Sequence, residues 1–224
     1  MATNYSPTIV TDGAVFVGDA LMPSTATSIN GATKLYNRAG SSSDGTMYTG
    51  TCVDLDGTDD YIDLGSIAFG TKNISIALWF TIDAFDDDYA CIFCNRTSST
   101  GNVGFEIRQR TSGTKIELQF DWGSSSNNVE TGALSTGTWH HMVATLDRSG
   151  YLRGYLNGVE FGSPLDISSQ SATSITSDQS AKIGKDAYSN YWNGVVANCM
   201  IWEAALTAKE VKDIYIAQKG RFGK

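Results

Sequence analysis

Apolar and polar residues alternate over short stretches along most of the chain, and turn residues separate the stretches. Asp54-Leu-Asp-Gly-Thr-Asp-Asp-Tyr-Ile-Asp-Leu-Gly65, Thr138-Trp-His-His-Met-Val-Ala-Thr-Leu146, Gly154-Tyr-Leu-Asn-Gly-Val-Glu160 and Tyr191-Trp-Asn-Gly-Val-Val196 show the pattern most clearly. A period of two residues belongs to half-buried strands, and many such strands with glycine-containing turns predict an all-β, two-sheet antiparallel jelly-roll sandwich.

Two hairpins can be registered residue by residue. Gly104 to Arg110 and Lys115 to Phe120 flank Thr111-Ser-Gly-Thr114, a four-residue loop that pairs Phe105 with Phe120 and Ile107 with Leu118. The other face of that hairpin then carries Arg108 opposite Glu117 and Glu106 opposite Gln119. Those charges already have a structural explanation, so they are weak catalytic candidates. Asn157-Gly158, the dipeptide favoured by type I′ turns, predicts a second hairpin with Tyr155 paired to Glu160.

One helix is expected. Thr207-Ala-Lys-Glu210 is a capping box followed by Val211, Ile214 and Tyr215 on one face, which predicts a short C-terminal helix over 207–217 packed on the sandwich edge. Residues 218–224 read as a loose tail. At the other end, 8–19 read as an opening strand and 22–50, rich in Ser, Thr, Gly and Asn, as mostly loop. With 51–206 as the sandwich proper, residues 1–224 form a single domain. At 224 residues the chain can bury about 70% of its unfolded surface, so it needs no disulfide or metal to fold.

Charge narrows the partners. The net charge of −8, without a basic stripe, argues against nucleic acid and against anionic membrane. No apolar run approaches the roughly 18 residues of a membrane span. Met1-Ala-Thr-Asn-Tyr-Ser-Pro7 lacks the features of a signal peptide, which leads us to expect a product made in the cytoplasm. Cys91-Ile-Phe-Cys94 has metal-knuckle spacing. On a regular strand, however, positions three apart face opposite ways, so Cys91 and Cys94 are expected to be separate buried thiols.

Several segments, in order, resemble one family. Asp56-Gly-Thr-Asp-Asp-Tyr-Ile-Asp-Leu64, Ile74-Ser-Ile-Ala-Leu-Trp-Phe80, Trp139-His-His-Met-Val143, Tyr155-Leu-Asn-Gly-Val159, Ala181-Lys-Ile-Gly184 and Trp192-Asn-Gly-Val195 look like successive strands of the laminin-G-like jelly rolls in the concanavalin A-like lectin/glucanase superfamily. Ile9 to Ala20 resembles the opening strand of jelly-roll proteins found in tailed-phage virions. One departure stands out: where many relatives carry an acidic pair, this chain has Ala197-Asn198, so no ligand or ion pair carries over there.

The resemblance raises three site chemistries. Glycoside hydrolysis needs two carboxyls about 5 to 5.5 Å apart in retaining enzymes, and none of the six Glu opens the carboxylate motif of the family's glucanases. No catalytic residue is therefore assigned, and the chain is expected not to be an enzyme. Calcium favours loop oxygens, which makes Asp59, Asp60 and Asp186 its weak candidates, with Asp86 to Asp88 beside them; no other cofactor is expected. A glycan needs exposed rings. Trp79, Trp139, Trp192 and Trp202 match the family's core aromatics, which leaves Trp122, Tyr188 and Tyr191 as candidate ligand-binding residues.

The expected function is that of a non-enzymatic structural or surface protein of a tailed-phage virion (head decoration, tail or fibre element). Its expected partners are other virion proteins or copies of itself in a homo-oligomer. The alternative is a lectin-like module that binds host-surface glycan.

Overall fold

The computed structural model describes residues 14–19, 46–48, 52–97, 103–123 and 126–224. The strands of the first half are β1 (Ala14–Asp19), β2 (Thr46–Tyr48), β3 (Cys52–Asp56), β4 (Ile62–Gly65), β5 (Ile74–Phe80), β6 (Cys91–Arg96) and β7 (Val103–Arg110). Those of the second half are β8 (Lys115–Trp122), β9 (Ser126–Glu130), β10 (His140–Leu146), β11 (Tyr151–Leu156), β12 (Val159–Asp166), β13 (Ala181–Ile183) and β14 (Asn193–Trp202). They form two antiparallel sheets: an eight-stranded one ordered β12-β11-β10-β5-β14-β3-β2, with β1 also on β14, and a six-stranded one ordered β4-β13-β6-β7-β8-β9. This is the jelly-roll sandwich expected from the alternation.

Register follows the sequence closely. Phe105 pairs with Phe120, Ile107 with Leu118, Glu106 with Gln119 and Arg108 with Glu117. Tyr155 pairs with Glu160 across Asn157-Gly158, both of which have positive φ, at 52° and 77°. The inward faces of the sheets meet in one core. Ile76, Leu78 and Phe80 of β5 and Met142, Ala144 and Leu146 of β10 oppose Phe105, Ile107, Leu118 and Phe120 of the smaller sheet. Each large apolar side chain buried there contributes about 1.5–3 kcal/mol.

A second apolar layer lies on the outer face of the larger sheet. The helix α1 (Ala208–Gln218) begins with the expected capping box, in which Thr207 and Glu210 bond reciprocally. It lays Val211 and Ile214 on Ala77, Val143, Met200 and Trp202. The segment after it departs from the expected loose tail. Lys219–Phe222 is a 3-10 helix, and Phe222 stacks on Trp79 with ring centroids 4.0 Å apart. Gln218 accepts a hydrogen bond from Trp79 Nε1 at 2.6 Å. Six residues cannot build a core of their own, but a ready-made aromatic surface can capture one ring. Trp79, Trp192 and Trp202 are fully buried, whereas Trp139 is half-buried against Phe222. Trp79 and Trp202 thus lie under the C-terminal segment and not between the sheets.

At the N-terminal end, β1 realises part of the expected opening strand; residues 8–13 lie outside the described residues. Most of the expected 22–50 loop does so too, and Thr46–Tyr48 forms a strand on β3.

Candidate functional site

The outer face of the six-stranded sheet is polar yet buried, and the alternation of β7 and β8 places its groups. With Phe105 and Ile107 turned inward, Glu106 and Arg108 point out; with Leu118 and Phe120 inward, Glu117, Gln119 and Asp121 point out. Glu106, Glu117, Gln119 and Asp121 are nonetheless at most 2% exposed. Buried carboxylates need partners, and three arginines supply them. Arg108 Nη2 stands 2.5 Å from Glu117 and its Nη1 3.0 Å from Glu106, while it also donates to Gln119 at 2.9 Å. Arg96 Nε stands 2.6 Å from Asp121. Arg110 adds longer pairs to Glu117 and Asp88. Burial pushes the Glu106 carboxyl above the usual carboxylate range; Arg96 and Arg108 pull it back, and Asp121 and Asp186 add to the rise.

β8 therefore carries a carboxylate, an amide and a carboxylate on alternate positions of one face, Glu117-Leu-Gln-Phe-Asp121. The sequence displays this spacing, but with Gln119 at its centre it differs from the carboxylate motif of the family's glucanases. Both carboxylates are engaged by arginine.

Two tyrosines rise at the rim of this face. Tyr89 lies over both Arg108 and Arg110, with 4.8 and 4.4 Å from each guanidinium carbon to the ring centroid. It is 40% exposed and has φ 75°, a left-handed conformation that costs a bulky residue of order 1–3 kcal/mol. Tyr188, 54% exposed, stands over Arg96 at 5.9 Å.

The sequence candidates divide. Tyr188 and Tyr191 share one loop, closed by a Lys185–Tyr191 bridge. Lys185 Nζ is 4.9 Å from both the Tyr191 and the Tyr61 ring. Trp122 projects from the opposite side of β8, towards the core, with its ring 5.1 Å from Phe120, so it shares no face with the tyrosines. Asp186 is buried, and its own loop satisfies it: Oδ1 accepts from the Tyr188 and Asn190 amides at 2.8 and 2.7 Å, and Oδ2 from Asn190 Nδ2 at 2.6 Å. Asp59 is exposed and Asp60 half-buried. Among the described residues the one cluster with converging metal-ligand atoms contains none of these aspartates; it is Cys91, Cys94 and Glu106.

That cluster corrects the expected separation of the two thiols. The register of β6 shifts between Cys91 and Phe93: Cys91 pairs with Arg108, Phe93 with Ile107 and Cys94 with Glu106. The extra residue is a β-bulge. Ile92 and Phe93 both enter the core, so Cys91 and Cys94 emerge on the same outer face. Nothing in a run of apolar residues announces a bulge, and a strict two-residue period hides it.

The concavity beside α1 is a lesser candidate. It has a volume of about 300 Å³ and is lined by Tyr151, Arg153, Glu160 and Thr207 among others, but Arg153 is already paired with Glu160 at 2.7 Å.

A family model described as the concanavalin A-like lectin/glucanases superfamily matches residues 56–212. The chain belongs to this superfamily. No curated protein sequence matches it. Among solved structures it is similar to a Trypanosoma rangeli sialidase in complex with 2,3-difluoro-KDN, at 12% identity and a TM-score of 0.70, covering 98% of this chain and 36% of that one. The botulinum neurotoxin serotype D ligand binding domain in complex with N-acetylneuraminic acid shows 16% identity and a TM-score of 0.65, over 92% of this chain and 51% of that one. The botulinum neurotoxin DC binding domain in complex with rat synaptotagmin II shows 11% identity and a TM-score of 0.65, over 92% and 52%. The chain thus spans between a third and about half of these structures, and at such identities the likeness is one of fold.

Proposed function

We propose that this chain is a non-catalytic, lectin-like recognition module whose outer six-stranded face binds carbohydrate between Tyr89 and Tyr188. One observation carries the reading: an exposed aromatic ring at Tyr89 is held in a strained backbone conformation over a dense polar floor. Strain persists where the surroundings impose it, and it gathers at ligand sites. Rings supply faces for sugar stacking, and the floor of carboxylates, amides and guanidinium groups offers hydrogen bonds to hydroxyls. A domain of the same fold, from botulinum neurotoxin D, has been solved with N-acetylneuraminic acid, which adds support.

The non-catalytic half of the proposal rests on pairing. Hydrolysis needs one carboxyl free to give its proton and another free to attack or to activate water. Glu117, Glu106 and Asp121 are each held by an arginine.

The setting we propose is the surface of a tailed-phage particle, with other particle proteins or further copies of the chain as protein partners. It is supported by the phage-like opening segment, whose Ala14–Asp19 strand joins the larger sheet on β14.

A glycan array followed by calorimetry on the best-bound glycan tests the recognition. Tyr89→Ala and Tyr188→Ala should each weaken binding about tenfold, the loss expected of a stacked ring. If the folded protein binds no glycan, or both variants bind as the parent does, the site is wrong. Release of new reducing ends from β-glucan would refute the non-catalytic claim. For the particle setting, a folded variant lacking the segment between Leu21 and Leu35 should fail to enter particles; normal entry would refute it.

A further inference from the structure

We propose that Cys91, Cys94 and Glu106 form a binding site for a thiophilic divalent metal ion, zinc above all. The β6 bulge at Ile92 brings the two cysteines to one face, where Cys94 lies directly across from Glu106 on β7 and Cys91 across from Arg108. Both Sγ atoms and a Glu106 carboxylate oxygen lie within 4.8 Å of one another. Tetrahedral zinc, with bonds of about 2.3 Å to sulfur and about 2.0–2.2 Å to oxygen, needs its ligand atoms somewhat less than about 4 Å apart. Side-chain rotations alone can close that gap, because the three backbone positions are already fixed by the ladder. The Tyr89 carbonyl oxygen, 3.5 Å from Cys91 Sγ, or a water can complete the shell.

The donor set chooses the metal. Two thiolates with one carboxylate suit zinc or its soft relatives; calcium and magnesium take oxygen ligands. Charge balance favours the exchange. As the divalent ion binds, each thiol releases its proton to solvent, so two positive charges enter and two leave. The Cys94 hydrogen bond to Glu106, at 3.5 Å, gives way to coordination, and Glu106 keeps Arg96 and Arg108 beside it. The residues are 0%, 3% and 1% exposed, so a bound ion is shut off from bulk water as in structural zinc sites. The site does not depend on the glycan reading, because neither the Tyr89 nor the Tyr188 ring is a ligand.

The test uses the full chain, reduced and metal-free, titrated with Co²⁺ as a coloured stand-in for zinc. The expected result is a saturable thiolate-to-cobalt absorption at one ion per chain. It should be accompanied by release of two protons in weak buffer and be erased by an equivalent of Zn²⁺. Cys91→Ser and Cys94→Ser should lose the band, Cys199→Ser should keep it, and Glu106→Gln should keep it with affinity about tenfold or more lower. Absence of thiolate absorption in the folded, reduced parent would overturn the proposal, and this result needs no variant to fold. So would a band that survives Cys91→Ser, or a Glu106→Gln affinity equal to the parent's.

Discussion

Arg96 and Asp121 sit on β6 and β8, two strands that never touch, and are joined over the strand between them, Nε to Oδ2 at 2.6 Å. The residue beneath the link is Gly104, in register with both. With no side chain there, nothing of β7 stands between the guanidinium and the carboxylate. Asp121 also accepts from Gln119 Nε2 at 2.7 Å, which ties the pair into the Arg108 cluster.

Asp121→Ala should therefore cost about 3 kcal/mol, because it leaves a largely buried guanidinium with only the longer Glu106 contact, at 3.6 Å. Urea unfolding followed by tryptophan fluorescence measures it. A loss below about 1 kcal/mol would mean that Arg96 finds water instead, as exposed pairs do.

Gly104→Ala should be worse, for a different reason. At φ 139° an added Cβ would stand 2.1 Å from the Asn95 carbonyl oxygen and 2.7 Å from Arg96 Cα. Those are backbone atoms, so β6 and β7 must separate. We expect failure to fold or a midpoint too low to measure, scored by soluble yield and circular dichroism. A variant with parental stability would contradict the close approach.

Phe222→Ala should cost about 3 kcal/mol, in the range for a buried phenylalanine, because its ring caps Trp79. Fluorescence of the native variant should shift towards that of a solvated indole. An effect within about 0.5 kcal/mol, ordinary for a surface change, would mean that the segment does not hold Trp79.

Acid should weaken the fold through His141. Burial pushes this imidazole down to about 3 from 6.5. It lies against Trp79 and Tyr215, with centroids 4.9 and 5.8 Å away, and neither ring nitrogen has a hydrogen-bond partner among the described residues. The unfolded chain thus takes up a proton below pH 6.5 that the folded chain refuses until near pH 3. Stability is full above 6.5 and declines across that window, by about 2 kcal/mol at pH 5. His140, also pushed down by burial, acts in the same direction. Denaturant midpoints at pH 7 and pH 5 should differ less for His141→Phe than for the parent; equal differences would remove His141 as the cause.

Strand register was legible because turn chemistry and alternation agree: Thr111 to Thr114 and Asn157-Gly158 each leave one pairing that keeps apolar residues together. The helix start was legible because Thr207 and Glu210 form a local signal. What stayed hidden depends on contacts far apart in sequence. Gln218 and Phe222 acquire meaning only against Trp79. The Cys91/Cys94 face depends on one inserted residue, and Tyr89 joins Arg108 and Arg110 only after the 86–89 loop folds over them. Tyr188 stands exposed in a loop that is aromatic and polar at once, whereas Trp122 is partly buried against the core, and a half-buried ring at a strand end looks the same in sequence as an exposed one.

The position of β14 governs how quickly such a molecule can form. Asn193–Trp202 pairs with β5, β3 and β1, so strands beginning at residues 14, 52 and 74 all wait for a partner found more than a hundred residues later. During synthesis the early strands leave the ribosome with open edges, which are templates for mispairing. Folding dominated by such distant pairings runs on the millisecond-to-second scale. Slow growth at low temperature, or a chaperone that shields strand edges, should therefore raise the yield of this protein more than any surface substitution.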